Sequence, residues 1–572
     1  MLTTTLSTAP TAPLLVEAGA AHGSAFNAVH ASAFWVTLGR LVRADPAQRK
    51  WVHDNPGALE PGCDTTLRLL PTLEPRELAN IAHGMASAGV SGSHRQWAGL
   101  WSGIAAAAQP TLGTFRTGEL KDLAWAFATS GVLQPPLRDA LAVEAVERLD
   151  ELRAEDIAIL AWSFAAGRHD AGQYGESGDV RALLHGIAHA AAQSDLASFG
   201  ATELATTVWS LARGSDVPVD ASAELFFRNV ATHLPERVQA AAAAASGGGG
   251  GRQVAADYAL GPTSVATTAW GLGKVGHATP ALLETLARAA SAHPLSTYNA
   301  RTLATLAMPY ALCTEELHDT SNRLLAAVAK HASRPEVIAT FMPAELLSLA
   351  RPYADAIGNK RIEAMPSLFS AIARRALEVL PRCTERELSM LPWAFISAGV
   401  DSVDRDDTRT LFSALAVEAA PRLAEVRASG LVALCWSYGR HVGGSTLTVR
   451  PDERDLFRGI DGADDADEEV DPNCAHLLDL LAEEVAGRHT ELSQHDQQTI
   501  ESCFLRLGRP SPLGERKAFG MLLSDDDGGG DGGALQHEAR RPAHGGGHGV
   551  GDELYDLDDG DWDVDDGRDL YR

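Results

Sequence analysis

ELKDLAWAFATSG, residues 119–131, is the stretch on which the reading of this chain turns. Leu120, Leu123, Ala124 and Phe127 fall at i, i+3, i+4 and i+7, one apolar face of a 3.6-residue helix. Gly131 follows where such a helix needs a stop. The block returns as DIAILAWSFAAG from Asp156, ELATTVWSLARG from Glu203 and SVATTAWGLGKVG from Ser264. ELSMLPWAFISAG from Glu387 and GLVALCWSYGRH from Gly430 repeat it again. Copies without the tryptophan begin at Glu77, Thr302 and Glu345, and a weaker one at Thr499.

One column runs through all ten copies: His83, Trp125, Trp162, Trp209, Trp270, Met308, Arg351, Trp393, Trp436 and Leu505. Most gaps lie between 37 and 47 residues, and the two long ones, 61 and 69, contain an Ala/Gly tract and an acidic tract. Those tracts are therefore insertions between repeats. A second amphipathic segment follows each block, as in LRDALAVEAVERL from Leu137, VRALLHGIAHAA from Val180, SLFSAIARRALEVL from Ser367 and TLFSALAVEAAPRL from Thr410. Helix, turn, helix and loop at this period predict an all-α chain: a right-handed α-solenoid of about ten repeats of ~40 residues with disordered acidic segments. NAVHASAFWVTLGRLVR, from Asn27, reads as a helix that caps the array. Thr384 and Glu387 have capping-box spacing. Pro309, Pro352 and Pro392 adjoin the column and predict first helices shortened or kinked there.

Composition agrees. The chain has 572 residues, 45% hydrophobic and 22% charged, with Ala and Leu dominant and β-branched runs almost absent, which disfavours a β fold or a parallel-sheet enzyme. Six cysteines lie far apart without a CxxC pair, the pattern of reduced core thiols. No apolar run reaches membrane-spanning length, so no membrane insertion is expected. Of the net charge of −27, residues 451–472 carry −8 and residues 525–572 carry −11, leaving about −8 on the rest. No surplus of Lys and Arg announces a polyanion partner.

The expected organisation is a disordered segment over 1–26 with weak targeting character and a repeat array over 27–510. An Ala/Gly linker at 239–251 and an acidic insertion at 451–472 interrupt the array, and an acidic, Gly/Asp-rich tail occupies 511–572. DWDVDDG in that tail lacks the glycine and final glutamate of a calcium loop. No phosphate-loop, dinucleotide, HExxH or GxSxG motif occurs, and His185 and His189, though four apart, have no acid beside them on their face. A non-enzyme without metal or cofactor is expected.

The six tryptophans, Trp125, Trp162, Trp209, Trp270, Trp393 and Trp436, admit two roles. Each stands about 140° round the helix from the apolar stripe, where it either packs between repeats or forms a ladder for unpaired bases. Lys121, Arg301, Arg351 and Arg386 are the candidate groove charges.

The LAWAF and LAWSF blocks at a forty-residue period resemble the octotricopeptide-like proteins of algae and protists and the leucine-rich helical region of the FAST-kinase-domain family. The resemblance spans roughly residues 27–510 and implies an array that holds single-stranded organellar RNA, in a mitochondrion or chloroplast, in support of its processing, stability or translation. Such proteins often end in a RAP domain, where this chain has its acidic tail, and no kinase motif set is present. The alternative is a protein-binding helical scaffold without RNA contact, whose acidic segments engage basic partners; outside an organelle the expected location is cytoplasmic.

Overall fold

A computed structural model describes residues 2–91, 95–132, 134–166, 177–214, 220–246, 259–399, 405–443 and 471–513. Among these residues the regular structure is helical throughout and no strand occurs. Each repeat block becomes a helix for the reasons its sequence suggests. The helix Thr117–Ser130 ends on Gly131 at φ +66°, the left-handed region that glycine enters without a Cβ penalty. The helix Glu385–Ala398 starts from Thr384, whose N–H and hydroxyl both donate to the Glu387 carboxylate at 2.7 and 2.6 Å. The N–H groups of Arg116, Met342 and Ser493 donate in the same way to Glu119, Glu345 and Asp496 at 2.8, 2.7 and 3.1 Å. The acid that opens these copies is thus a helix-start residue, satisfying a backbone donor that has no partner within the helix.

Two compact units divide the chain, Met1–Tyr298 with Cys313–Leu324, and Asn299–Leu312 with the described residues from Leu325 on. In the first, the helices Ala28–Ala44, Pro75–Ser87, Thr117–Ser130, Ala154–Ala166, Ala201–Gly214 and Pro262–Lys274 pack side by side in chain order as one layer. The second helices of the pairs, among them Arg95–Ala108, Pro135–Val146, Gly178–Gln193 and Ala221–Ser246, form the other layer. In the second unit, Ala300–Leu312, Pro343–Gly358, Glu385–Ala398, Ala428–Gly443 and Gln494–Arg506 make the first layer. Pro366–Val379, Arg405–Ala419 and Pro472–Gly487 back it. Ala28–Ala44 is capped by Asn27, whose side chain accepts from the His30 N–H at 3.1 Å.

A third recurrent element escaped the sequence reading. In the described loops that lead back to first helices a single tight turn recurs, in which an extended apolar residue donates its N–H to the carbonyl three residues earlier. Phe115 bonds Leu112, Phe199 bonds Leu196, Tyr298 bonds Leu295, Cys383 bonds Leu380 and Val426 bonds Leu423, at 3.0 to 3.3 Å. All five of these extended residues are buried. An arginine from the following second helix, or from within three residues after it, closes several such turns. Arg237 donates to the Phe199 carbonyl at 2.6 Å, Arg422 to Cys383 at 2.7 Å and Arg488 to Val426 at 2.8 Å. These three arginines therefore join one repeat to the next.

The structure corrects three expectations. Residues 1–26 are not a loose segment. Leu2–Ser7 and Ala12–His22 are helices, and Leu6 and Leu15 are fully buried against their neighbours. The expected linker at 239–251 begins too early, because the helix Ala221–Ser246 runs on through the Ala run, as alanine's helix propensity favours; residues 247–251 lie outside the described residues. Finally, Pro309, Pro352 and Pro392 do not shorten their helices, which run 13, 16 and 14 residues. All three rings are buried among apolar neighbours, and this packing holds the turn that the missing N–H would loosen. Of the acidic insertion, Asp471 and Pro472 are described, and the Asp471 carboxylate accepts the N–H groups of Asn473 and Cys474 at 2.9 and 3.1 Å to start a helix. The rest of it, the DWDVDDG motif and nearly all of the tail lie outside the described residues.

Candidate functional site

The tryptophan column lies between first helices. Trp125, Trp162, Trp209, Trp270 and Trp393 are 1 to 8% exposed, and Trp436 alone is half-buried. Trp125 packs on the His83 ring at 4.7 Å, Trp209 on Trp270 at 6.4 Å and Trp393 on Trp436 at 6.5 Å, centroid to centroid. Residues of equal register therefore meet, so successive first helices run parallel. Of the two roles open to the column, the geometry realises inter-repeat packing. Five of the indoles have no face left for a base.

A cation lies one turn further on. The Arg213 guanidinium stands over the Trp209 ring at 5.3 Å, the Lys274 ammonium over Trp270 at 5.5 Å and the Arg440 guanidinium over Trp436 at 4.6 Å. The sequence reading missed these pairs, which sit at i and i+4, the spacing that brings two side chains together on a helix. Arg213 is buried and donates to the Ala165 carbonyl at 3.3 Å, so it serves the packing as well.

The expected groove charges fare differently. Lys121 is largely buried and lies 3.1 Å from Asp156 on the next first helix, with Glu155 at 3.9 Å. Burial pushes the Asp156 carboxyl up, but its hydrogen bond and charge contact with Lys121 and its bonds to Arg153 outweigh that and leave it below the usual range. Arg301 lies 4.0 Å from Glu345, also on the next first helix. Both cations are thus inter-repeat ion pairs rather than a free lining. Arg351 and Arg386 are half-buried on their own first helices.

Charge in the first layer is partly segregated along the helices, although Arg76, Arg301 and Arg386 also stand in first turns. First turns carry Glu119, Asp156, Glu203, Glu345, Glu387 and Asp496, several of them committed as caps. Last turns carry Arg43, Arg213 and Lys274 in the first unit, and Arg440 and Arg506 in the second. Because neighbouring first helices are parallel, these basic ends lie on one edge of each unit, but the three helices between Arg43 and Arg213 and the first three of the second unit end without a base.

At the end of the second unit the helices Ala428–Gly443 and Gln494–Arg506 enclose an open recess of about 280 Å³. Trp436, Arg440, His495, Gln498, Ser502 and Arg506 line it, and no acid does. Among the described residues no group of three or more His, Cys, Asp and Glu is placed to hold a metal ion. His185 does have an acid near it, Asp220 at 3.9 Å, from the next second helix rather than its own. No described helix is long and apolar enough to cross a membrane. Compared with protein-family models and with curated proteins, the chain matches none of them.

Proposed function

We propose that the chain is a non-catalytic α-solenoid of about ten helix pairs whose first-helix layer binds single-stranded RNA, and that it acts in organellar RNA processing, stability or translation. The resemblance of the LAWAF-type blocks to organellar RNA-metabolism repeats motivates the reading. The observation that carries it is the charge segregation of the first layer. The net acidity of the chain argues against a polyanion partner, yet most of it belongs to residues 451–472 and 525–572. Most acids of the first helices sit at their starts, Asp122, Asp355 and Glu501 excepted, and the last turns that do carry a base lie on one edge of each unit. Such an edge can follow a phosphate backbone without any base-stacking ladder.

Burial of five indoles favours a second reading, a protein-binding scaffold, since it withdraws the platform that would read bases. Fluorescence anisotropy with a labelled single-stranded 20-mer RNA, repeated over a salt series, separates the two. The RNA reading expects binding that weakens with salt, and a slope reduced in Arg43→Glu and in Lys274→Glu by about one unit or slightly less per lost phosphate contact. Absence of binding at low salt rejects it. Crosslinking in native cells, with sequencing of attached RNA, then names the transcript and the compartment.

A further inference from the structure

We infer that the recess between the helices Ala428–Gly443 and Gln494–Arg506 is a binding site for a nucleoside monophosphate unit, free or as the phosphate-bearing end of an RNA strand. This deepens the RNA reading by assigning one nucleotide of the strand a place of its own.

Four observations carry it. Trp436 is the one indole of the column left half-exposed, and it lies at this recess. The Arg440 guanidinium is held over that indole at 4.6 Å, so a flat cation is fixed in place before any ligand arrives. Guanidinium planes stack on bases as aromatic rings do, which makes the Trp436–Arg440 pair a ready platform for a nucleobase. Arg506 and His495 are exposed at the same opening with no acid lining it, in a chain that is otherwise strongly acidic. Last, the side chains of His495, Gln498, Ser502 and Arg506 make no hydrogen bond or ion pair with the rest of the described chain, so their donors remain available to a ligand.

The floor is inert. Gly439 lets the two helices close, since a Cβ there would stand 3.2 Å from the Cβ of Cys503. Burial pushes the Cys503 thiol up to about 11, so it stays neutral and offers no nucleophile. Burial, and after it the charge of Arg506, weighs against the charge on Arg440, and an anion between the two arginines would relieve that repulsion. The expected placement has the base on Arg440 and the phosphate at Arg506 and His495. A guanidinium and an imidazole around one phosphate suit a terminal monoester, whose three free oxygens accept more hydrogen bonds than the two of a strand interior.

The test is calorimetric titration of the full chain with AMP, UMP and inorganic phosphate, and with a 12-mer RNA bearing a 5′-phosphate, a 3′-phosphate or hydroxyl ends. The proposal expects AMP or UMP to bind more tightly than inorganic phosphate, and a phosphorylated end to be preferred. Arg506→Gln should weaken both by about tenfold, whereas Lys274→Glu should leave mononucleotide binding unchanged. His495→Ala is the second variant should Arg506→Gln perturb folding, which circular dichroism would report. Inorganic phosphate binding as tightly as AMP overturns the proposal, leaving a mere anion site. Strand binding with neither mononucleotide binding nor end preference also overturns it and leaves the RNA reading standing. Mononucleotide binding without strand binding keeps the recess and removes the RNA reading.

Discussion

Trp270 packs on Trp209 of the preceding first helix with ring centroids 6.4 Å apart and planes inclined at 37°. The two rings occupy the same register of successive repeats, so the contact sets how far apart the helices stand and which way they face. Trp270→Ala should therefore destabilise the protein by about 3 to 5 kcal/mol, the usual cost of emptying a buried aromatic site. Trp436→Ala, at a half-exposed position, should cost less than half as much. Urea denaturation followed by circular dichroism measures both. Equal and small losses would show that the column does not hold the repeats together.

Gly84 and Gly39 mark a closer approach, between Pro75–Ser87 and Ala28–Ala44. A Cβ at Gly84 would overlap the Trp35 carbonyl, and one at Gly39 would stand 2.8 Å from Ser87 Cβ and 2.9 Å from the Gly84 carbonyl oxygen. Backbone cannot swing aside as a side chain can, so Gly84→Ala should cost about 1 to 3 kcal/mol despite alanine's better helix propensity. Gly118→Ala, where a Cβ meets nothing, is the control and should be neutral or stabilising. Thermal melts of the two variants decide the matter.

Two histidines make the fold sensitive to mild acid. His83 lies against Trp125 at 4.7 Å and His441 stacks on Phe412 at 4.2 Å. Burial, and beside it nearby cations, lowers His83 to about 4; burial lowers His441 to about 4 as well, the Arg409 charge adding to this against the opposing pull of Asp471. Both rings stay neutral in the folded chain, while the unfolded chain takes up protons near pH 6.5. Their contribution is fully present above pH 6.5 and is lost as pH falls toward 4, by about 2 to 3 kcal/mol for each ring. Denaturation midpoints at pH 7.5 and 5 should differ accordingly, and His83→Gln should shrink the difference. An unchanged pH profile in that variant would sink the assignment.

The ion pair between Lys121 and Asp156 joins two first helices at 3.1 Å. Lys121→Met leaves the carboxylate buried with only Arg153 beside it, and should cost about 3 kcal/mol at pH 7. Because Asp156 is held below the usual carboxylate range, its share of stability is present above pH 4 and falls away below it. The double variant Lys121→Met with Asp156→Leu should recover most of the loss, since it leaves no unpaired charge. RNA affinity is expected to be the same in all three proteins, which distinguishes a structural pair from a groove charge.

Residues 525–572 carry fifteen acids against four arginines. A chain ending at residue 524 should bind single-stranded RNA more tightly at low salt, and the gain should fade at high salt as screening removes the competition. An affinity unchanged at low salt would show that this charge has no bearing on binding.

The helix pairs were readable from local pattern because each repeat is a local object. The spacing of Leu120, Leu123 and Phe127, the glycine at 131 and the acid at 387 act within a turn or two of helix, and their outcomes agree with the sequence. The N-terminal helices were missed because Leu2–Ser7 and Ala12–His22, with Leu6 and Leu15 fully buried, owe their order to packing on later helices such as Ala28–Ala44. Propensity alone shows none of that. The same limit applies to the prolines, which are buried in helices that persist through them.

The recess and its platform were hidden for a related reason. Trp436 and Arg440 are one turn apart and could have been paired on paper. Arg506 and His495, by contrast, lie beyond an acidic insertion and reach the opening only because Gln494–Arg506 packs on Ala428–Gly443. Periodicity along one chain states which face of a helix is apolar. It does not state which indole will be covered by the next repeat, which arginine will be drawn into a turn carbonyl, or which will be left facing water. Those outcomes depend on contacts between residues tens of positions apart. In this chain they turned Lys121 and Arg301 into ties between helices, covered five tryptophans and left the sixth open beside two arginines.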